Sequence, residues 1–137
     1  MGAHVSVPAY RRSLPQRYAL MGLKCSTCNA IVFPPKAYCP HCRSSGAVSP
    51  VRLKPEGEVY SFAEISAAGS PPEFAHLART RDSYVVALIR LDEGPRIMAQ
   101  VVTSGKQVQI GSRVHGVFKQ VYTEEGIVRY GLKFQVV

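Results

Sequence analysis

The chain has 137 residues, of which 46% are hydrophobic, and a formal net charge of +8. Folding of a chain this long buries roughly two-thirds of its unfolded surface, which supports one core with a small appendage but not two full domains. No window approaches the ~20 consecutive apolar residues of a membrane span, and the first residues do not resemble a signal peptide, so we expect a cytoplasmic protein.

The positive charge is concentrated at the front of the chain. Residues 1–55 contain eight Lys and Arg residues and no Asp or Glu, whereas residues 56–137 contain nine residues of each sign. This asymmetry indicates that the front of the molecule meets phosphates or an acidic partner surface. A basic face that is merely solvated is the alternative.

Residues 1–20 are predicted to form an N-terminal arm. Tyr10 and Leu14 have the i, i+4 spacing of one helical face, but Pro15 opposes continuation of a helix because it lacks an N–H. We therefore predict a short helical arm and no longer helix.

Residues 21–46 hold all four cysteines, as Cys25-Ser-Thr-Cys28 and Cys39-Pro-His-Cys42. Two such pairs in a cytosolic chain favour a metal over disulfides, because the cytosol keeps thiols reduced. Each tight turn aims two sulfurs at one point, and two turns complete a tetrahedron. Since all four ligands are thiolates, no coordination position stays open, and we predict a structural Zn²⁺ site in a zinc ribbon. Iron in a rubredoxin-like role and a disulfide or redox role are the alternatives.

The turn after the first cysteine pair needs a residue with positive φ directly behind the second sulfur, where glycine is common. Asn29 holds that position, and asparagine is the next best tolerated residue there. Behind the second pair, the nearest glycine is Gly46, four residues after Cys42.

Residues 47–55, with two prolines, are predicted to be a connector, and residues 56–137 a barrel. Turn residues at 92–95 and 123–126 indicate two hairpins. The fold class is therefore mainly β, with a five-stranded OB-fold barrel expected and an SH3-like barrel as the competitor. The predicted strands are Gly57–Ile65, Tyr84–Leu91, Arg96–Val102, Val114–Tyr122 and Ile127–Val137.

The first of these strands alternates in character. Its pattern predicts one face with Val59, Ser61, Ala63 and Ile65, and an opposite face with Tyr60 and Phe62.

Catalytic motifs are missing from the sequence. The paired carboxylates Asp92-Glu93 and Glu124-Glu125 fall in predicted turns, and there is no Gly-rich phosphate loop or nucleophile elbow. None of the four histidines makes a catalytic case, because a solvated or structurally satisfied side chain explains each of them: His4, His41, His76 and His115. We therefore expect no catalysis by this chain and no catalytic residues.

The order of several motifs resembles a known family. The stretch from Tyr18 through both cysteine pairs, with Phe33-Pro-Pro-Lys36 between them, is followed by Gly57-Glu-Val-Tyr-Ser61 and the barrel strands. This arrangement resembles the zinc-ribbon plus OB-fold family of acyl-CoA-associated proteins, also called domain of unknown function 35, and the resemblance covers nearly the whole chain. Asn29 departs from the glycine that the family usually has.

The resemblance implies a non-catalytic accessory subunit in a hetero-oligomer. Its expected partner is an acetoacetyl-CoA thiolase acting with 3-hydroxy-3-methylglutaryl-CoA synthase in the mevalonate pathway. A thiolase-like aldolase or a hydratase of steroid and lipid degradation is the alternative partner. The resemblance also implies that the arm and ribbon are expected to contact the enzyme partner, with the barrel near the CoA moiety.

CoA carries a 3′-phosphate and a pyrophosphate, which basic side chains bind by charge-assisted hydrogen bonds. Exposure to water, or packing of the ribbon on the barrel, would explain the same residues. The candidate CoA or partner contacts are Lys24, Phe33, Lys36, Tyr38, Arg43, Arg52 and Lys54. The candidate partner contacts of the arm are Tyr10, Arg11, Arg12 and Tyr18.

A single-stranded nucleic-acid-binding protein is the competing class, because a basic zinc ribbon joined to an OB-fold also suits RNA or DNA. The balanced charge of the barrel and the single aromatic residue in Tyr84–Val102 argue against it. The third hypothesis is that the chain is a free-standing enzyme.

Overall fold

The computed structural model describes residues 8, 11–12, 18–66, 83–124 and 126–137. The chain divides into two compact units, Met1–Leu53 and Lys54–Val137. Within the described ranges it forms eight β-strands: β1 Met21–Cys25, β2 Ile31–Val32, β3 Val48–Arg52, β4 Glu56–Ser66, β5 Ser83–Leu91, β6 Arg96–Val102, β7 Arg113–Glu124 and β8 Ile127–Val136.

The first unit is built on a three-stranded antiparallel sheet in the order β2-β1-β3. Strand β3 lies within residues 47–55, which the sequence predicts to be a connector. It is an edge strand, with a neighbouring strand on one side only. Proline is tolerated at such an edge because the N–H that Pro50 lacks is not needed to pair with a second strand. Behind β3, the Leu53 N–H donates to the Leu20 carbonyl at 2.7 Å, and both leucines are buried.

The second unit is a closed five-stranded barrel in the order β4-β5-β6-β8-β7. Strands β6 and β8 run parallel, with Val101 opposite Phe134, and the other neighbours are antiparallel. All five strands predicted from residue 56 onwards are confirmed. The most deeply buried part of the barrel core consists of apolar side chains that are at most 1% exposed: Val59, Ala87, Ile89, Leu91, Val114 and Phe134.

A β-bulge at Tyr60 overturns the predicted alternation of the first barrel strand. Val59 lies opposite Ile89, but Ser61 lies opposite Leu88, so one residue of β4 is skipped. Because directly opposed residues share a face, every side chain after the bulge changes sides. Phe62 therefore shares the inner face with Val59, and the prediction that placed Ser61, Ala63 and Ile65 beside Val59 was wrong.

The two predicted hairpins are confirmed. Between β5 and β6, the Leu91 N–H donates to the Pro95 carbonyl at 2.9 Å, and Gly94 has φ of 113°. Between β7 and β8, Glu124 pairs with Ile127 and Gly126 has φ of 77°. Glycine suits both positions because it has no Cβ to oppose a positive φ.

Of the predicted arm, the structure describes residues 8, 11–12 and 18–20; Tyr10 lies outside the described residues, as do His4 and His76. The helical arm itself stays a prediction. In the described ranges, the chain has no helix with the length and apolar character needed to cross a membrane.

Candidate metal centre

The four cysteine sulfurs converge at one point in the first unit. All four Sγ atoms lie within 4.8 Å of one another. Cys25 Sγ lies 3.6 Å from Cys42 Sγ, and Cys28 Sγ lies 3.5 Å from Cys39 Sγ. Zn–S bonds of ≈ 2.3 Å give a tetrahedron with edges of about 3.8 Å. The four cysteines are unbridged and are positioned to bind a metal ion.

Backbone hydrogen bonds shape the turns that carry these sulfurs. In the first turn, the Cys25 N–H donates to the Ala30 carbonyl at 2.9 Å. In the second, the Cys39 N–H donates to the Ser44 carbonyl at 3.1 Å, and the Arg43 N–H donates to the Cys39 carbonyl at 2.8 Å. Each pair of sulfurs is therefore held by the fold of its own turn.

Backbone N–H groups and one side-chain hydroxyl donate hydrogen bonds to the sulfurs. The Cys28 N–H lowers the pKa of the Cys25 thiol, because a hydrogen bond to the thiolate favours the charged form. The hydroxyl of Ser44, followed by its N–H, lowers the pKa of Cys42 to about 6. These donors partly offset the negative charge that four thiolates bring together.

Cys28 titrates in the opposite direction. The Ala30 N–H lowers its pKa, but burial and the neighbouring sulfurs of Cys39, Cys25 and Cys42 outweigh that effect and raise it to about 12. A proton shared among four close sulfurs is hard to remove in the absence of a cation. A divalent ion supplies the positive charge that such a group lacks, which supports the fit of Zn²⁺ to this donor set.

Each turn contains a left-handed residue directly behind its second sulfur. Asn29 has φ of 58°, which confirms the sequence prediction. In the second turn the corresponding residue is Arg43, with φ of 59°. Gly46, which the sequence offered as the nearest glycine, has φ of 81° but lies further along the loop. The two cysteine turns thus share this backbone geometry without a glycine at either position.

The centre has a buried side and an exposed side. Cys25 and Cys39 are 1% and 0% exposed, whereas Cys28 and Cys42 are exposed. The first cysteine of each pair faces the unit's interior, and the second faces solvent. The first cysteines thus belong to the buried part of this unit, together with Leu20 and Leu53.

Two serines contribute to the centre and were missed at the sequence level. Ser44 Oγ lies 3.2 Å from Cys42 Sγ. Ser26 donates to the Ala47 carbonyl from both its N–H, at 2.9 Å, and its hydroxyl, at 3.1 Å, which ties the first turn to the residue before β3. The sequence could have indicated Ser44, because it follows Cys42 by two residues and a hydroxyl at that spacing can reach the sulfur.

The predicted basic contacts do not form one cluster. Lys24 and Arg52 are exposed, but Arg52 lies opposite Met21 on the sheet, three residues before Lys24. Because strand residues alternate, these two cations lie on opposite faces of the ribbon sheet. Lys36 and Arg43 are exposed on the loops that carry the cysteines. Lys54 belongs to the barrel unit, where its N–H donates to Glu93 Oε1 at 2.7 Å.

The predicted aromatic contacts differ in environment. Phe33 is half-buried and precedes a cis peptide bond to Pro34. Tyr38 is 51% exposed and forms an isolated bridge with Ser45. In the arm, Arg11 and Arg12 are exposed and Tyr18 is 39% exposed.

Known families match both units. Residues 12–48 match the family described as "ChsH2, rubredoxin-like zinc ribbon domain", and residues 50–119 match "ChsH2, C-terminal OB-fold domain". A "DUF35 domain-containing scaffold protein" of Methanothermobacter thermautotrophicus is 35% identical over 127 residues, covering 90% of this chain and 91% of that protein. A scaffold protein of the same description from Methanocaldococcus jannaschii is 34% identical, covering 90% and 86%. The chain therefore belongs to the DUF35 family.

Solved structures share the fold. The structure described as "Ltp2-ChsH2(DUF35) aldolase" superposes with a TM-score of 0.66 at 24% identity, covering 99% of this chain and 98% of that one. A DUF35 protein of unknown function from Sulfolobus solfataricus superposes with a TM-score of 0.56 at 21% identity, covering 87% and 76%. The predicted combination of a zinc ribbon with an OB-fold barrel is confirmed, and the SH3-like alternative is set aside.

Proposed function

We propose that this chain is a non-catalytic accessory subunit of an acyl-CoA enzyme complex, in which it binds a thiolase. The observation that carries the proposal is the match to DUF35 scaffold proteins over 90% of the chain at 35% identity. The thiolase proposed is an acetoacetyl-CoA thiolase, working with 3-hydroxy-3-methylglutaryl-CoA synthase in the mevalonate pathway. A cytoplasmic location belongs to the same proposal.

The metal centre suits a supporting role. We propose that Zn²⁺ is held by Cys25, Cys28, Cys39 and Cys42, whose sulfurs all lie within 4.8 Å of one another, with two of the pairs at 3.5 and 3.6 Å. Zinc ions that act on substrates keep a position open for water or substrate, and four thiolates leave none. When bound, the ion would stabilise the ribbon's fold, since a segment this short has little core of its own.

The charge of the ribbon unit favours an acidic or phosphate-bearing partner. Met1–Leu53 contains seven Lys and Arg residues and no Asp or Glu, whereas Lys54–Val137 contains ten cations and nine carboxylates. CoA contact is part of the proposal, with Lys24, Lys36 and Arg43 as exposed candidates. Since Arg52 lies on the other face of the ribbon sheet from Lys24, one phosphate would not bind both.

A thiolase-like aldolase is the second candidate partner. It is favoured by the solved relative described as an Ltp2–ChsH2(DUF35) aldolase, whose likeness extends over 99% of this chain. A hydratase of lipid degradation is a further partner of the same class. In either case the chain would support another protein's acyl-CoA chemistry.

The test is co-expression of this chain with each candidate enzyme from its source organism, followed by size-exclusion chromatography. Co-elution with a thiolase at defined stoichiometry is the expected result, and co-elution with the aldolase alone would select the second candidate. Lys36→Glu and Arg43→Glu should weaken CoA binding to the complex without loss of zinc. Binding to oligonucleotides that weakens with salt, with no enzyme partner, would overturn the proposal in favour of the nucleic-acid class.

A further inference from the structure

The outer surface of the barrel carries an apolar patch on its first three strands. The side chains of β5 alternate, and Ala87, Ile89 and Leu91 fill the core, so Leu88 and Arg90 face outward. Leu88 lies opposite Met98 on β6, and Arg90 lies opposite Arg96. We define the β5 outer face as Tyr60, Leu88, Arg90, Arg96 and Met98.

This face exposes large apolar groups at its centre. Met98 is 76% exposed and Tyr60 is 43% exposed, while Leu88 between them is half-buried. The bulge in β4 places Tyr60 here, where its ring lies 4.2 Å from the guanidinium carbon of Arg96 across β5. Tyrosine, methionine and arginine are among the residue types enriched at protein interfaces.

The arginines of the face are arranged unfavourably for the isolated barrel. Arg90 and Arg96 are directly opposed on neighbouring strands, and like charges in this position destabilise a sheet. Glu58 forms an ion pair with Arg90. Within the described part of the chain, Arg96 has the Tyr60 ring beside it and no carboxylate partner. One further negative charge would complete the pairing.

We propose that the β5 outer face docks onto the acyl-CoA enzyme partner, at an apolar patch bordered by a carboxylate that pairs with Arg96. This inference rests on the proposed function and adds a contact on the barrel to those expected of the arm and ribbon. Met98 and Tyr60 supply the apolar contact, and Arg96 sets the orientation by a charge-assisted hydrogen bond. The ring of Tyr60 holds the guanidinium in place before the partner arrives.

The charges of the face select against the other occupants. A second copy of this chain would bring two further arginines and only one carboxylate, Glu58, which already pairs with Arg90, so the two faces would meet with a net positive charge that disfavours self-association. A nucleic acid would pair with the arginines but leave Met98 and Leu88 without an apolar contact. A protein with an acidic border satisfies both kinds of group.

The experiment measures the affinity of the full-length, zinc-loaded chain for the co-purified thiolase by isothermal titration calorimetry. Met98→Glu and Arg96→Glu should each weaken binding by about tenfold or more, because each puts a negative charge at the docked face. Exposed loop positions provide matched controls: Gln109→Glu for Met98→Glu, and Lys106→Glu for Arg96→Glu. The control variants should bind within about twofold of the wild type.

Folding is monitored in the same proteins. Arg96→Glu replaces a like-charge pair with an opposite-charge pair beside Arg90, so its thermal midpoint should not fall while its affinity does. Benzoylphenylalanine in place of Met98 should crosslink to the thiolase at a peptide that contains Asp or Glu.

The outcomes separate the two proposals. Wild-type chain that fails to bind the thiolase or the aldolase overturns the proposed function and this inference with it. Wild-type and Met98→Glu chains that bind the enzyme equally well overturn the inference alone. A dimer of the isolated chain that dissociates on Met98→Glu would also overturn it, because the occupant would then be a second copy.

Discussion

Arg113 and Asp92 form a two-pronged ion pair on the barrel. Arg113 Nη1 donates to Asp92 Oδ1 at 2.7 Å, and Nη2 donates to Oδ2 at 2.8 Å. The pair joins the first residue of β7 to the turn after β5, two segments that are 21 residues apart in sequence. Its geometry is the fork-to-fork match that arginine makes with carboxylates.

This pair predicts a pH-dependent contribution to stability. Hydrogen bonding by Arg113, together with the positive charges of Arg113 and Lys54, lowers the pKa of Asp92. Since an unfolded aspartate titrates near ~3.9, the contribution is fully present above that pH and is lost as the pH falls through the lower folded value. Asp92→Asn should therefore lower the urea midpoint at neutral pH but not in strong acid. If Asp92→Asn lowers the urea midpoint by as much in strong acid as at neutral pH, this account is contradicted.

A double-mutant cycle provides the control. In an Arg113→Ala background, Asp92→Asn should have little further effect on the urea midpoint, because the partner is already gone. Since both side chains are about half exposed, 150 mM salt should weaken the coupling.

Removal of the metal should unfold the ribbon and spare the barrel. Among the described residues of the first unit, the buried apolar side chains besides its cysteines are Leu20 and Leu53, whereas the barrel has a core of its own. With a chelator, the amide signals of residues 21–46 should lose their chemical-shift dispersion in an NMR spectrum, while the signals of the barrel strands stay at their native positions. Cys25→Ser should reproduce the effect without chelator, and Ser49→Ala serves as a control on β3. Retention of native ribbon signals without metal would argue against a structural ion.

Replacing the left-handed residue of either cysteine turn by glycine should stabilise the ribbon. Arg43 and Asn29 have φ of 59° and 58°, and a Cβ in that region costs roughly 1–2 kcal/mol for ordinary residues and less for asparagine. Arg43→Gly should stabilise the ribbon by about 1 kcal/mol, and Asn29→Gly by less. Resistance to chelator and the thermal midpoint of the holo-protein measure this effect.

Asn29→Gly also separates backbone strain from charge, since it removes no cation. If Arg43→Gly stabilises the ribbon but weakens CoA binding while Asn29→Gly only stabilises it, Arg43 acts through its charge in binding. Destabilisation by both glycine variants would refute the strain argument.

Gly57 should be irreplaceable for a steric reason. A Cβ built on Gly57 would lie 2.3 Å from the Arg90 carbonyl oxygen, a backbone atom of the neighbouring strand that cannot rotate away. Gly57→Ala should destabilise the barrel by about 1–3 kcal/mol through backbone displacement. Gly105→Ala is the contrasting variant, because the space around that residue is open and only its φ of 82° opposes a Cβ. A urea titration of both variants should show that Gly57→Ala destabilises the barrel more than Gly105→Ala does.

The metal centre was predictable because its geometry is local. Two Cys-x-x-Cys turns place their sulfurs by the backbone of a few residues each, and the left-handed Asn29 follows from the same turn. The hairpin at 92–95 is similarly local. Arg43 was missed because nothing about arginine signals a positive φ; the constraint comes from Cys39 and Cys42, which must meet the first pair.

The pairing of strands was decided over longer distances. The prolines of residues 47–55 suggested a connector, but the free edge of β1 recruits Val48–Arg52 as β3, and an edge strand accepts Pro50. The bulge at Tyr60 arises from registering β4 against β5, which no alternation within β4 could reveal.

By itself, the amino-acid order determined the number of barrel strands, their turns and the four candidate metal ligands, since each depends on neighbours within a few positions. Only the tertiary structure decided which strands meet, that β6 runs parallel to β8, and that Tyr60 and Arg96 share an outer face with Met98. Those relationships depend on closing a barrel, and closure brings together residues whose separation along the chain carries no local signal.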